Sequence, residues 1–270
     1  MELQKNCIFL YVCSMLNGKK LYFASDFHLG VPSYEDSLER ERNIISWLDH
    51  IKQDAEEIFL MGDIFDFWFE YKHVVPKGYI RFLAKLAELT DSGIKLTIFK
   101  GNHDMWMFGY LTQELGARIV SNELVIQSGT KTFFLHHGDG LGPGDSKYKV
   151  LKRIFRSRFM QFLFSWIHPN IGMAIAGAWS RHSRLASNEK ETFVSEEKEW
   201  LVSFSKDLLK SAHYDYLIFG HRHLPLSIPL GDRSLYINLG EWINFNSYAV
   251  FDGEQLRLDY WKANATGTEI

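Results

Sequence analysis

Cysteine and proline are scarce in this 270-residue chain, and no apolar run in it approaches membrane-spanning length. The two cysteines, Cys7 and Cys13, lie near the start and outside every motif described below. They imply neither a disulfide framework nor a thiolate metal site, and a reducing cytoplasm is the expected setting. Six prolines, with no repeats or Pro/Gly-rich tract, give no linker at which to divide the chain. One large domain with an insertion is expected, with apolar residues in ample supply for a core. The stretch Cys7 to Leu16 has the length of a signal-peptide core but no clear small-x-small cleavage site. It falls well short of the roughly 20 residues a spanning helix needs. Residues 1–18 are read as an N-terminal extension, with Met15 as an alternative start, and residues 19–262 as the domain.

Acid is missing from Ser146 to Asn188, where Lys147, Lys149, Lys152, Arg153, Arg156, Arg158, Arg181 and Arg184 stand without an Asp or Glu. The formal net charge of the whole chain is −3, so the remainder is strongly acidic. The same segment is rich in bulky apolar groups, among them Phe159, Phe162, Phe164, Trp166 and Trp179. The spacing of Leu151, Ile154, Phe155 and Phe159 is helical, and Pro169 is expected to separate two helices. A basic, aromatic, amphipathic helix reads as a membrane-surface element, although ordinary packing produces such patterns too. Residues 142–192 are expected to form a helical cap offering hydrocarbon for acyl chains and cations for phosphates. Nucleic acid fits poorly, because the cations are interleaved with bulky hydrocarbon and the other surface is acidic.

Five short apolar runs each end in residues that bind metals. The runs begin at Leu21, Ile58, Leu96, Phe133 and Tyr216, and they deliver Asp26-Phe27-His28, Asp63, Asn102-His103-Asp104, His137-Gly138-Asp139 and His221-Arg222-His223. Such runs read as buried strands, and in an α/β sheet the strand ends line the ligand crevice. In Asp-x-His and His-x-His, an extended segment would put both donors on one side. Each strand end alone is a weak signal, since turns use the same residues. Together, two Asp, one Asn and four His form an oxygen and nitrogen donor set suited to Mn, Fe or Zn. Seven donors are too many for one tetrahedral ion and suit two ions sharing a carboxylate, an arrangement that activates water and clamps phosphoryl oxygens.

Between these ends the chain alternates as an α/β protein. Ile44, Ile45, Leu48 and Ile51 mark one helix, Tyr79, Phe82, Leu83 and Leu86 a second, and Trp200, Leu201, Phe204 and Leu208 a third. Leu235 to Leu239, Tyr248 to Phe251 and Leu256 to Tyr260 alternate as strands, with Asp252-Gly253 as a hairpin turn.

The blocks Asp26-x-His28, Gly62-Asp63-x-x-Asp66, Gly101-Asn102-His103-Asp104, His137-Gly138-Asp139 and Gly220-His221-x-His223 resemble the calcineurin-like metallophosphoesterases, in order and over nearly the whole chain. The resemblance implies a four-layer αββα sandwich with the metals at one edge. It implies a first ion on Asp26, His28, Asp63 and His223, and a second on Asp63, Asn102, His137 and His221. Manganese is foremost, with iron or zinc as alternatives. By the same likeness His103 is the acid for the leaving oxygen and Asp104 orients it. Lys20 to Gly30, Gly62 to Trp68 and His137 to Asp145 resemble, more narrowly, the pyrophosphatases acting on UDP-2,3-diacylglucosamine in lipid A synthesis. Those enzymes release UMP and an acylated sugar phosphate, with attack expected at the uridine-side phosphorus. Better-known members of that group have arginine where this chain has His103. In the same terms Asn102, Asp145 and Tyr148 are expected to touch the sugar-nucleotide end. Lys152, Arg153, Arg181 and Lys190 are candidates for phosphate contacts. The expected partner is an anionic glycolipid sugar nucleotide, met by a cytoplasmic protein held peripherally at the inner membrane. A broader phosphoesterase of soluble substrates, or a metal-binding scaffold without catalysis, are the alternatives.

Overall fold

The computed structural model describes residues 10–12, 18–142, 146–186, 193 and 195–262, without the side chains of 10–12, 146–147 and 181–186. Among these residues the chain forms two six-stranded sheets. In the first, β2 (Lys20–Ala24), β3 (Ala55–Leu60), β4 (Lys95–Phe99) and β5 (Arg118–Val120) run parallel. Beyond β2, the hairpin of β11 (Ser247–Phe251) and β12 (Leu256–Tyr260) adds antiparallel strands. The second sheet has the order β1 (Leu10–Val12), β6 (Leu124–Ser128), β7 (Lys131–His136), β8 (Tyr216–Phe219), β10 (Ser234–Leu239) and β9 (Pro225–Leu230). Its centre, β7, β8 and β10, is parallel. Part of the segment expected to lie outside the domain therefore pairs with it, since β1 runs parallel to β6.

Alternation along each strand builds three stacked cores. Leu21, Phe23 and Phe59 of the first sheet meet Ile126, Phe133, Leu135, Ile218 and Ile237 of the second. The intervening Tyr22, Ala24, Ile58 and Leu60 face outward onto α1 (Tyr34–Ile51), α2 (Ile80–Asp91) and α3 (Tyr110–Leu115). On the far side, Phe134, Leu217, Phe219 and Tyr236 pack on Leu201 and Val202 of α7 (Trp200–Leu209). Strands buried on both faces read as nearly continuous apolar runs, which is why their ends stood out in the sequence. The result is the expected mixed α/β sandwich with helices outside both sheets.

Several local expectations change. In α1 the buried stripe is Ile44, Trp47, Leu48 and Ile51, while Ile45 is half-buried. Tyr79 caps α2 from outside, in the left-handed conformation. The acid-free segment holds three helices, α4 (Ser146–Phe155), α5 (Arg158–Ser165) and α6 (Pro169–Ala186), so Phe159 does not continue the helix of Phe155. Ser157 is extended and breaks the chain there. Pro169 opens α6, where its missing N–H has no intrahelical partner to lose.

Candidate metal centre and adjoining groove

At the carboxyl ends of β2, β3, β4, β7 and β8 the chain bends sharply, and those bends carry the polar groups. Asp26, His28, Asp63, His221 and His223 have φ values of 57°, 43°, 51°, 68° and 57°. The extended Asp-x-His and His-x-His segments expected from the sequence are therefore replaced by left-handed turns. Such residues cost on the order of 1–3 kcal/mol each unless their surroundings fix them. Here backbone bonds do so: Asp26 N–H donates to Gly62 O at 3.0 Å, His28 N–H to Asp63 O at 2.9 Å, and Trp242 N–H to Asp26 O at 3.2 Å. Arg40 adds a donor to His28 O at 2.8 Å. The Arg222 guanidinium grips Glu199 through two bonds of 3.0 and 3.1 Å, holding the His221–His223 turn against the start of α7. Space is equally tight. A Cβ on Gly101 would lie 2.1 Å from Asp63 Oδ1, and one on Gly220 would lie 2.1 Å from Ser25 Oγ.

The turns bring Asp26, His28, Asp63 and His223 into one cluster, and Asp63, His137 and His221 into another. In the first, His223 Nε2 lies 3.2 Å from both Asp26 Oδ1 and His28 Nε2. Asp26 Oδ1 is buried without a hydrogen-bond donor. Asp63 belongs to both clusters, its Oδ2 being 3.9 Å from His28 Nε2 and 3.5 Å from His137 Nε2. Burial lowers the pKa of His28, and burial with the nearby His137 pushes His221 down to about 4. Both imidazoles are neutral at physiological pH, as ligands must be. Although burial opposes it, neighbouring imidazoles hold Asp26 and Asp63 below the usual carboxylate range.

His137 provides the most direct test of whether cations fit. Its Nδ1 is 2.8 Å from Met61 O, which can only accept, so Nδ1 carries a proton. In the neutral ring the lone pair on Nε2 then faces Asp63 Oδ2 and, at 3.2 Å, Asn102 Oδ1. With the Asn102 oxygen and the Asp63 carboxylate both turned toward that lone pair, a positive charge among them is stabilising. With a proton alone available, the Asp63 carboxylate outweighs the effect of burial and drives His137 up to about 10. A divalent ion would satisfy the same need, and the oxygen and nitrogen donors suit Mn, Fe or Zn.

His103 sits at the rim, its backbone N–H donating to Asp63 Oδ1 at 2.8 Å. Asp104 does not orient it, contrary to expectation. Asp104 is fully buried and caps the loop, Oδ1 accepting from Gly101 N–H and Oδ2 from Ile64 N–H, both at 2.8 Å. Burial and the nearby Asp63 raise its pKa to about 7. The ring is set instead by Asp66, whose backbone oxygen lies 3.1 Å from His103 Nδ1. Nδ1 is thus protonated, and Nε2 remains for chemistry.

A groove of about 550 Å³ opens beside Asn102 and His103. Its walls are largely hydrocarbon: Trp106 and Phe67 from the core, Leu151 and Phe155 from α4, Phe164 from α5, and Ile175 and Trp179 from α6. The segment docks through aromatic contacts such as Phe164 on Trp106, with centroids 4.8 Å apart, and through Trp106 Nε1–H donating to Phe155 O at 2.8 Å. Tyr148 lines the groove and donates its hydroxyl to Asp139 Oδ2 at 2.7 Å. Lys152 is paired with the same carboxylate at 2.6 Å and donates to Asp139 O at 2.9 Å, contacts that anchor α4. Arg153 is exposed on α4. Asp145 and Lys190 lie outside the described residues, as does the side chain of Arg181 in α6. Sequence reasoning missed Arg40, Glu199 and Ser180, the last of which donates its hydroxyl to Asp66 Oδ1 at 2.8 Å, because such contacts leave no local pattern.

Two sheets bearing a bridging aspartate and paired imidazole clusters at their strand ends define a phosphoesterase class, and residues 19–225 match the model of the family described as Calcineurin-like phosphoesterase. The chain belongs to that family and is a metal-dependent hydrolase. It is 39% identical over 253 residues to the UDP-2,3-diacylglucosamine hydrolase of Porphyromonas gingivalis, covering 89% of this chain and 97% of that protein. A protein of the same name from Haemophilus influenzae is 26% identical, over 83% of this chain and 91% of its own length. Among solved structures, the phosphoesterase Yfce from E. coli aligns over 90% of this chain and 93% of its own, at 17% identity and a TM-score of 0.45.

Proposed function

We propose that the chain hydrolyses the pyrophosphate bond of UDP-2,3-diacylglucosamine, giving UMP and the acylated sugar 1-phosphate. The observation that carries this reading is the apolar groove ending at Asn102 and His103, which offers hydrocarbon to acyl chains next to a centre built for phosphoryl oxygens. The names of the relatives agree with it.

Asp26, His28, Asp63 and His223 would hold one divalent ion, and Asp63, Asn102, His137 and His221 the other, with manganese the leading candidate. When bound, such a pair lowers the pKa of a water and neutralises charge on the phosphoryl group. The protein's own groups do the rest. Asn102 faces both the second cluster and the groove, a position from which it can also meet a phosphoryl oxygen of the substrate. His103, as the imidazolium with its Nδ1 proton committed to Asp66 O, would turn its Nε2 proton toward the leaving oxygen and transfer it there, becoming the neutral ring. Tyr148 and the walls supplied by Phe155, Phe164, Ile175 and Trp179 hold the acylated sugar and exclude water.

In this reading α4 to α6 form a cap that also rests on a bilayer. Phe159, Phe162, Leu163, Trp166 and Ile171 expose apolar surface, with Trp166 77% accessible, and Arg158 stands beside them. Among the described residues no helix is long and apolar enough to cross a membrane. Peripheral attachment at the cytoplasmic face suits that combination. The deciding assay compares hydrolysis of the acylated sugar nucleotide with that of its deacylated counterpart. A strong preference for the acylated form is expected, and equal rates would defeat the lipid assignment.

A further inference from the structure

The strand-end cluster is covered at one end and open at the other. Three of its imidazoles stand in a row, the His28 ring meeting both His103 and His223 edge to face with centroids 5.0 Å away in each case. The groove lies at the His103 end, and His223 is not among its lining residues. At the far end the His223 side chain is 37% accessible, against 4% for His28 and 1% for His137.

The segment beside that open end is the turn after β10. It is seated directly on the first ligand's own turn, through Trp242 N–H donating to Asp26 O at 3.2 Å. The Trp242 indole is buried against Phe27, with centroids 5.2 Å apart, and its Nε1–H donates to Ser247 O at 3.0 Å. Glu241, 3% exposed, folds its carboxylate back onto the turn. It accepts from the Ile243 N–H, and from the backbone and side-chain amides of Asn244 at 3.0 and 3.1 Å. The Asn246 N–H closes the turn on Glu241 O at 3.0 Å. These bonds fix Ile243 on the outside, 44% exposed. A single exposed isoleucine is ordinary. One held on a pinned turn at the uncovered end of a reaction centre has something to meet.

What meets it follows from the shape of the substrate, which carries two large ends on one pyrophosphate. The acylated sugar fills the groove at the His103 end, where the leaving oxygen is protonated. The uridine is bonded to the phosphorus that remains at the centre. With the groove occupied, it extends over His223 onto the turn. A nucleoside has an apolar face, and a contact already fixed in place binds it without the entropy cost of ordering a loop.

We infer that the turn Glu241 to Asn244 is the nucleoside subsite, with Ile243 as its contact for the uridine face. This rests on the substrate proposed above. The two ends of the substrate are then read by separate elements, the lipid end by α4 to α6 and the nucleotide end by the turn after β10.

The test uses the full-length, metal-loaded chain and reads binding directly. Calorimetry compares UMP with inorganic phosphate, in the parent and in Ile243→Ala. UMP should bind the parent more tightly than phosphate does. Ile243→Ala should weaken UMP about fivefold, the scale for losing partial burial of one aliphatic side chain, while phosphate changes by less than about twofold. With the acylated sugar nucleotide the same variant should raise KM and hold kcat within about twofold, because the contact is the same in ground and transition states. In zinc-loaded protein labelled at the isoleucine δ1 methyls, UMP should shift the Ile243 signal, assigned through Ile243→Val, and phosphate should leave it in place. That readout needs only the parent and a conservative variant. Equal loss of UMP and phosphate affinity in Ile243→Ala, no loss of either, or a UMP-induced shift confined to Ile175 in the groove would each overturn the inference. A parent that binds UMP at Ile243 but does not hydrolyse the acylated sugar nucleotide would sink the proposed function and leave the subsite standing. Hydrolysis with Ile243 unmoved by UMP would sink the subsite alone.

Discussion

The strand-end cluster and the helical segment beside it are built on opposite principles. At the strand ends backbone hydrogen bonds hold the turns, backbone strain is accepted at five residues, and glycines leave no room for a Cβ. In α4 to α6 large apolar side chains remain exposed, no residue of α5 is buried, and attachment runs through aromatic contacts and a few hydrogen bonds. The first arrangement gives a fixed geometry, as transfer of charge between oxygens requires. The second gives an adaptable apolar surface, as flexible acyl chains and a lipid surface require. Changes at the cluster should therefore alter chemistry, and changes in the segment should alter affinity.

The sharpest break in that comparison is Asp63→Asn. Loss of the shared carboxylate should cut kcat by more than about a hundredfold and reduce bound metal, read by elemental analysis of the purified protein. Next comes His103→Ala, expected to lower kcat by about 10²–10⁴-fold while metal content stays at the parent's level. A similar loss of metal in this variant would assign His103 to ion binding instead. Ile175→Glu, placing a charge in the groove wall, should raise KM for the acylated substrate about tenfold, equivalent to about 1.4 kcal/mol, with little change in kcat. The smallest effect on the fold is expected for Trp166→Ser. Stability should move by no more than about 0.5 kcal/mol, yet flotation with anionic lipid vesicles should weaken several-fold.

Acid offers a further way to sharpen the contrast, through a histidine that serves the fold. His136 is buried and accepts the Gly138 N–H at 2.8 Å through Nδ1, so it must stay neutral. Burial pushes it down to about 3. In the unfolded chain it titrates near 6.5. Between those two values the unfolded state binds the additional proton, so stability is full above about pH 6.5 and is lost as pH falls toward 3. His136→Asn, whose amide oxygen can accept the same N–H, should flatten the decline in Tm across that range.

The core and its strand ends were legible in the sequence because strands buried on both faces leave unbroken apolar runs, and each run stops where the polar cluster begins. The edges were not legible. Pro225–Leu230 contains Pro225 and Pro229, which argue against a strand, but an edge strand tolerates the missing N–H groups and β9 occupies an edge. The seven ligand candidates were picked out by residue type and order, yet the left-handed conformations of five of them were not, since nothing in Asp-x-His distinguishes a turn from an extended segment. The error over Asp104 and the silence over Ser180 have one cause. A carboxylate next to a histidine in sequence suggests a pair, whereas the fold directs Asp104 to backbone N–H groups and lets a backbone oxygen 37 residues earlier hold the ring.

The account depends most directly on two cations sharing Asp63. An anomalous difference map from crystals soaked in manganese should give two peaks about 3.5–4 Å apart, one beside Asp26, His28 and His223 and the other beside Asn102, His137 and His221. A single peak, or none within reach of Asp63, would contradict it.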